Sequence, residues 1–186
     1  MGMYVFLLYV LWLASEIALS RVKLAGPADR KLDRSSLRIL WITIAVSVTA
    51  GVFLGLRSAG HFGKGSPVFE VAGTALILLG LVIRWVAILS LKRQFTVDVA
   101  ITAGHRLIKN GIYGIVRHPS YAGGLLSFLG LGLSFSNYLS LVAVFAPICA
   151  AFLYRIDVEE RALTGAFGDE YTAYCASTKR LIPGIY

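Results

Sequence analysis

Five apolar runs, each close to the length that crosses a bilayer, govern what this chain can become: 3–19, 37–56, 68–91, 120–136 and 138–156. A membrane-spanning helix takes roughly 20 predominantly apolar residues. Inside hydrocarbon a segment must also satisfy its own backbone polar groups, so each run reads as a helix. With 57% hydrophobic and 15% charged residues among 186, a water-soluble domain would have nowhere to bury so much apolar surface. The expectation is an all-α integral membrane protein with about five transmembrane helices. The expected organisation is a single domain over 1–186, with three helices in 1–91 and a helical hairpin followed by a polar tail in 92–186. The fourth and fifth runs are parted only around Ser136 and Asn137, which suits a tight helical hairpin. The first run lacks the basic start and small-residue cleavage site of a signal peptide and reads as the first membrane helix.

The formal charge of +8 raises the question of a nucleic-acid partner, and position along the chain answers it. Lys and Arg number five in 21–34, five in 92–117 and four in 155–180, against Arg57 and Lys64 in the second loop. With five spans the three rich segments share one side. The positive-inside rule makes that side cytosolic and puts the amino terminus outside. The basic excess is thereby accounted for by membrane topology, with no nucleic acid required. Cys149 and Cys175 are too few for a disulfide framework or a four-ligand zinc site, and no metal is expected. The alternation of strands and helices that builds a dinucleotide-binding sheet is missing.

Polar residues with interpretable spacing lie after Ile101, in the segments flanking the last two spans. Pro119 suits the first turn of a helix, where unpaired backbone N–H groups can face an anion. Arg155 and Glu159 are four apart and so share one helix face, offering an anion holder beside an acceptor for a cation or hydroxyl.

His105 with Leu107, Gly111 to Tyr113, the run Arg117, His118, Pro119, Ser120 and Tyr121, the pair Glu159 and Glu160, Phe167 to Tyr171, Tyr174, and Arg180 to Pro183 form an ordered set of blocks. In these the chain resembles the isoprenylcysteine carboxyl methyltransferase family, membrane enzymes similar over their catalytic half to phosphatidylethanolamine N-methyltransferases. The resemblance covers roughly 105–183. It implies S-adenosylmethionine as methyl donor, S-adenosylhomocysteine as product, and methylation of the C-terminal carboxylate of a prenylated cysteine, or of a similar membrane amphiphile, at the cytosolic membrane edge. By carry-over, His105, Arg106, Leu107, Ile108, Tyr113, His118, Pro119, Ser120, Tyr121, Glu159 and Glu160 are donor contacts. Arg155 is the substrate contact, and Arg155 and Glu159 form the catalytic pair. An upstream polar residue completes the donor site, and the spacing leaves Gln94 and Asp98 both open, with Gln94 preferred.

The chemistry fits these residue types. A C-terminal carboxyl titrates near 3.3 to 3.7, so the nucleophile is ionised at neutral pH without a general base. The site has to align it with the methyl group and exclude water. Arg offers a planar fork to a carboxylate. Carboxylates can accept ribose hydroxyls, and a Tyr113 or Tyr121 ring can face a cation. A second reading, methylation of a phospholipid amine or a thiol, uses the same donor half but needs a proton acceptor. A third, a non-enzymatic transporter or binding protein, calls for repeated halves or several midplane polar residues.

Each residue also has a plainer reading: Arg155 as an interfacial anchor, Tyr171 and Tyr174 as interfacial anchors or tail packing, and Gly123, Gly124, Gly130 and Gly132 as close helix packing. His61, on the outer side, receives no function. Arg84 lies within the third span and either snorkels to the cytosolic edge or pairs with Glu16 of the first span.

Overall fold

A computed structural model describes residues 10–12, 14–17, 34–57, 59–62, 67–91 and 107–186. Helical backbone occupies 10–12 and 14–17, followed by α1 (Arg34–Gly55) and α2 (Val68–Leu91). A 3-10 turn (Gly111–Gly114) precedes α3 (Pro119–Ser134), α4 (Tyr138–Phe167) and α5 (Asp169–Ser177). Among the described residues there is no strand, only isolated bridges joining His61 to Asn137 and Val116 to Lys179. Helices α1, α2 and α4 are each long and apolar enough to cross a membrane. The described residues are all-helical apart from turns and loops, and the chain is a multi-pass integral membrane protein.

Two of the five expected spans are not among these three. Helix α3 has 16 residues, about 24 Å at 1.5 Å per residue, short of a roughly 30 Å hydrocarbon core. The first run lies partly outside the described residues. In the other direction α4 continues past Ile156 to Phe167, because nothing between these positions breaks a helix. Its 30 residues span about 45 Å.

Helix α2 packs along α3, α1 along α4, and α3 against α4. Glycine sets the first of these contacts. A methyl group built on Gly123 would lie 2.5 Å from the Gly80 carbonyl oxygen, and one on Gly130 would lie 2.5 Å from that of Gly73. Only bare backbone permits such an approach. A methyl on Gly132 would lie 2.9 Å from the Leu141 Cα of α4, and Gly124 faces Phe152, so the four glycines serve helix packing. Ile77, Val144, Ile148 and Phe152 fill the interior, and Trp12 meets Phe128 edge-on at 5.2 Å between ring centroids. The opposite faces expose Val46, Phe53, Leu79, Val82, Leu89 and Val142, as lipid-facing surfaces do.

The turn between α3 and α4 is the hairpin the sequence predicts. Ser136 adopts φ 48°. Asn137 caps α4 by accepting from the Leu139 and Ser140 amides. Its Nδ2 donates to the Leu54 and Ala59 carbonyls at 3.1 and 2.9 Å, which satisfies the C-terminal end of α1.

Candidate functional site

At the opposite end of the bundle the first turn of α3, the final third of α4 and the tail converge. Pro119 occupies the first helical position of α3, as expected, with His118 as the preceding cap residue. The Arg117 and His118 amides donate to the Lys179 and Arg180 carbonyls at 2.8 and 3.0 Å, so the tail runs beside this turn. Tyr171 and Tyr174 are buried, which makes them tail packing and not interfacial anchors. The Tyr174 hydroxyl donates to the Tyr113 carbonyl at 2.5 Å, tying α5 to the 3-10 turn. Burial, opposed by the nearby Arg117 charge, leaves the Tyr174 phenol pushed up to about 12.

Arg155 is 2% exposed, so it is a buried cation and not an interfacial anchor. Its Nε donates to the Tyr121 hydroxyl at 3.0 Å and its Nη1 to the Ser36 hydroxyl at 3.1 Å. The Tyr121 ring also lies nearly parallel to His118, at 5.7 Å between centroids and 14° between planes, and its hydroxyl reaches Glu159. Glu159 Oε2 is buried and has no hydrogen-bond partner among the described residues. It lies 3.9 Å from His118 Nδ1, beyond hydrogen-bonding distance. Tyr113 is buried beside these groups and donates to the Ala87 carbonyl at 3.3 Å. Burial, then the Glu159 carboxylate, pushes its phenol above the usual tyrosine range.

Glu160 differs from its neighbour. Its Oε1 accepts from Arg117 Nε at 3.0 Å and lies 3.1 Å from His118 Nε2, while Oε2 is 2.7 Å from Arg180 Nη2. The sequence reading makes Glu160 a donor contact alongside Glu159. In the structure both of its oxygens are engaged by the protein, so it braces the turn and the tail.

His118, Pro119, Ser120, Tyr121, Arg155, Glu159 and Glu160 are thus gathered at one end, with Tyr113 beside them. Leu107 and Ile108 lead into the 3-10 turn, half-buried. Gln94, Asp98, His105 and Arg106 lie outside the described residues. Sequence reasoning misses Ser36, since nothing in the first half of the chain beyond hydropathy marks it. It also leaves Arg117 and Arg180 without a role, although both stand inside the quoted blocks.

Gathering charged groups in a largely buried site at one end of a helical bundle places the protein among integral membrane proteins with a polar centre at the bundle's edge. A family model of the isoprenylcysteine carboxyl methyltransferase (ICMT) family matches residues 73–165, half of the chain, and the protein belongs to that family. It is 33% identical over 115 residues to protein-S-isoprenylcysteine O-methyltransferase B of Arabidopsis thaliana, covering 61% of this chain and 58% of the relative. It is 32% identical over 120 residues to the Schizosaccharomyces pombe protein-S-isoprenylcysteine O-methyltransferase, covering 63% and 51%. The solved structure of a eukaryotic intramembrane Ras methyltransferase ICMT superposes with a TM-score of 0.58 at 26% identity, covering 81% of this chain and 52% of that one. The chain spans between about half and three fifths of the length of these relatives.

Proposed function

We propose that this protein transfers a methyl group from S-adenosylmethionine to the C-terminal carboxylate of a prenylated cysteine or a similar membrane amphiphile. The observation that carries the proposal is the placement of buried Arg155 and His118 beside half-buried Tyr121 and Glu159 in one cluster within a member of the ICMT family.

The donor-set chemistry fits such a ligand. Glu160 accepts from His118 Nε2, so in the neutral ring Nδ1 is an acceptor facing Glu159 Oε2, which has no hydrogen-bond partner among the described residues. Two acceptors facing each other 3.9 Å apart call for a ligand bearing hydrogen-bond donors or positive charge, and ribose hydroxyls beside a sulfonium have both. When bound, S-adenosylmethionine supplies a methyl group activated by its positive sulfur and leaves as S-adenosylhomocysteine. Glu159, His118, Tyr121 and Tyr113 would hold it, with Leu107 and Ile108 at the entrance. Pro119 and Ser120 would place the helix turn, and His105, Arg106 and Gln94 or Asp98 would complete the site from the preceding loop.

Arg155 would hold the acceptor carboxylate and orient one oxygen toward the methyl group. Its Tyr121 and Ser36 contacts fix the guanidinium plane, which is the preorganisation a displacement in line requires. No proton needs to be removed, because the carboxylate is already ionised. The acceptor's apolar tail would remain in lipid along α3 and α4. Glu160 is assigned to positioning, through Arg117, His118 and Arg180. The same reading keeps residues 1–91 as the membrane scaffold and 92–186 as the catalytic half. It counts five spans, with the basic loops and the carboxyl tail in the cytosol and the amino terminus outside.

Methylation of an amine or thiol is less well served, because a buried arginine favours an anion. The deciding assay incubates purified protein with radiolabelled donor and a panel of farnesylcysteine analogues, phospholipid amines and apolar thiols. Label is expected in a base-labile ester of the farnesylcysteine acceptors. Label confined to amines or thiols would overturn the proposal.

A further inference from the structure

Arg84 sits inside α2, seven residues before Leu91, where an unpaired charge within a membrane span is disfavoured. A snorkelling arginine would direct its head group to the interface. This one points inward and has fixed partners on two sides. Its Nε lies 2.6 Å from Glu16 Oε1, with the two side chains 14% and 11% exposed. Its Nη1 donates to both the carbonyl and the hydroxyl of Ser120 at 3.1 Å.

Ser120 is the second residue of α3, between His118 and Tyr121. Arg84 can reach it because the bare Gly80 and Gly123 backbones meet one turn away. A methyl on Gly123 would fall 2.8 Å from the Arg84 amide nitrogen. A lone guanidinium against the positive end of α3 would be disfavoured by the helix dipole. The Glu16 carboxylate offsets that charge, which gives the ion pair a reason to exist at this spot. The first helix is thereby joined to the turn through one side chain.

We infer that Arg84, held in place by Glu16, is a positioning residue for the methyl-donor site. It fixes the first turn of α3 so that His118 and Tyr121 face Glu159, and it makes donor affinity depend on the seating of the N-terminal helix. The inference rests on the reading that His118, Tyr121 and Glu159 hold the donor. Arg84 itself touches neither donor nor acceptor.

The test is titration calorimetry of S-adenosylhomocysteine into the full-length protein in detergent, for the parent, Arg84→Lys and Glu16→Gln. Thermal unfolding and the KM for a farnesylcysteine acceptor are measured on each. Lys keeps a charge opposite Glu16 but loses the forked reach to Ser120, and Gln is isosteric with Glu, so both variants preserve bulk. Loss of the charge-assisted bonds to Ser120 predicts affinity about tenfold weaker for Arg84→Lys, and loss of the ion pair several-fold weaker for Glu16→Gln, with acceptor KM unchanged. Lower unfolding temperatures with parental affinity would make the pair a structural strut and overturn the inference. Equal losses of donor affinity and acceptor KM would overturn it as well. A parent protein that binds no product would instead sink the donor-site reading, and the inference with it.

Discussion

Glu160 holds His118 by the ring nitrogen that points away from the proposed donor site: Oε1 and Nε2 are 3.1 Å apart, and Nδ1 is left facing Glu159. The two neighbouring glutamates therefore have separate duties. One carboxylate is spent on the protein's own cations and imidazole, and the other keeps an oxygen available.

That division predicts different phenotypes. Glu160→Gln leaves Arg117 and Arg180 short of a counter-charge in a mostly buried network, and breaking such a pair costs on the order of 3 kcal/mol. Thermal unfolding should shift down by several degrees, and limited trypsin digestion should cut more readily after Lys179 and Arg180. Glu159→Gln should unfold near the parental temperature yet bind S-adenosylhomocysteine about tenfold more weakly by calorimetry.

Arg155 should govern acceptor use. Arg155→Lys retains charge but not the planar fork, so single-turnover transfer to farnesylcysteine should fall by about 10- to 100-fold, and further in Arg155→Ala. Donor affinity should stay within a few-fold of the parent. Because arginine and the acceptor carboxylate are both ionised throughout, the parental transfer rate should not change between pH 6 and 8 through acceptor ionisation. A steep rise across that window would point to an amine or thiol nucleophile.

Tyr174 links stability to alkaline pH. Its phenol is raised to about 12 in the fold from about 10 in the unfolded chain. The stabilisation this represents is complete below pH 10 and is lost as pH rises through 12. Thermal unfolding in detergent should drop across that interval, and Tyr174→Phe should lessen the drop, the raised phenols of Tyr113 and Tyr171 sustaining the rest, while lowering stability near neutrality by about 1 kcal/mol, the worth of the lost bond to the Tyr113 carbonyl.

Orientation is testable with single cysteines at positions 64 and 109 labelled by an impermeant maleimide in intact cells. Position 64 should label from outside. Position 109 should label only after permeabilisation, and the reverse pattern would invert the topology.

Helical hydropathy made α2 legible to the residue and α1 to within three residues, and Asn137 with Pro119 marked the ends of the helical hairpin. The overrun of α4 to Phe167 was hidden because the sequence turns polar after Ile156 while remaining a good helix former, so hydropathy stops where the helix does not. Spaced blocks marked His118, Tyr121 and Glu159 as candidates, and the four-residue spacing to Glu159 added Arg155. They did not separate Glu159 from Glu160, since adjacent residues on a helix point about 100° apart and only the neighbours decide which faces the site. Ser36 lies 119 positions from Arg155 in the chain, and no local pattern reports a contact of that range.

Gly73 and Gly80 are seven residues apart, as are Gly123 and Gly130, and two near-complete helical turns bring each pair back to the same face. The two contact points between α2 and α3 therefore act as pegs on a ruler. Adding or deleting one residue between either pair would turn everything beyond it by about 100° and advance it 1.5 Å, withdrawing Arg84 from Ser120 even if every functional side chain were kept. Substitutions can accumulate freely on the lipid side of this stretch, but its length cannot drift, and a chimera built from two homologues should tolerate a junction here only where the count of residues between the glycines is preserved.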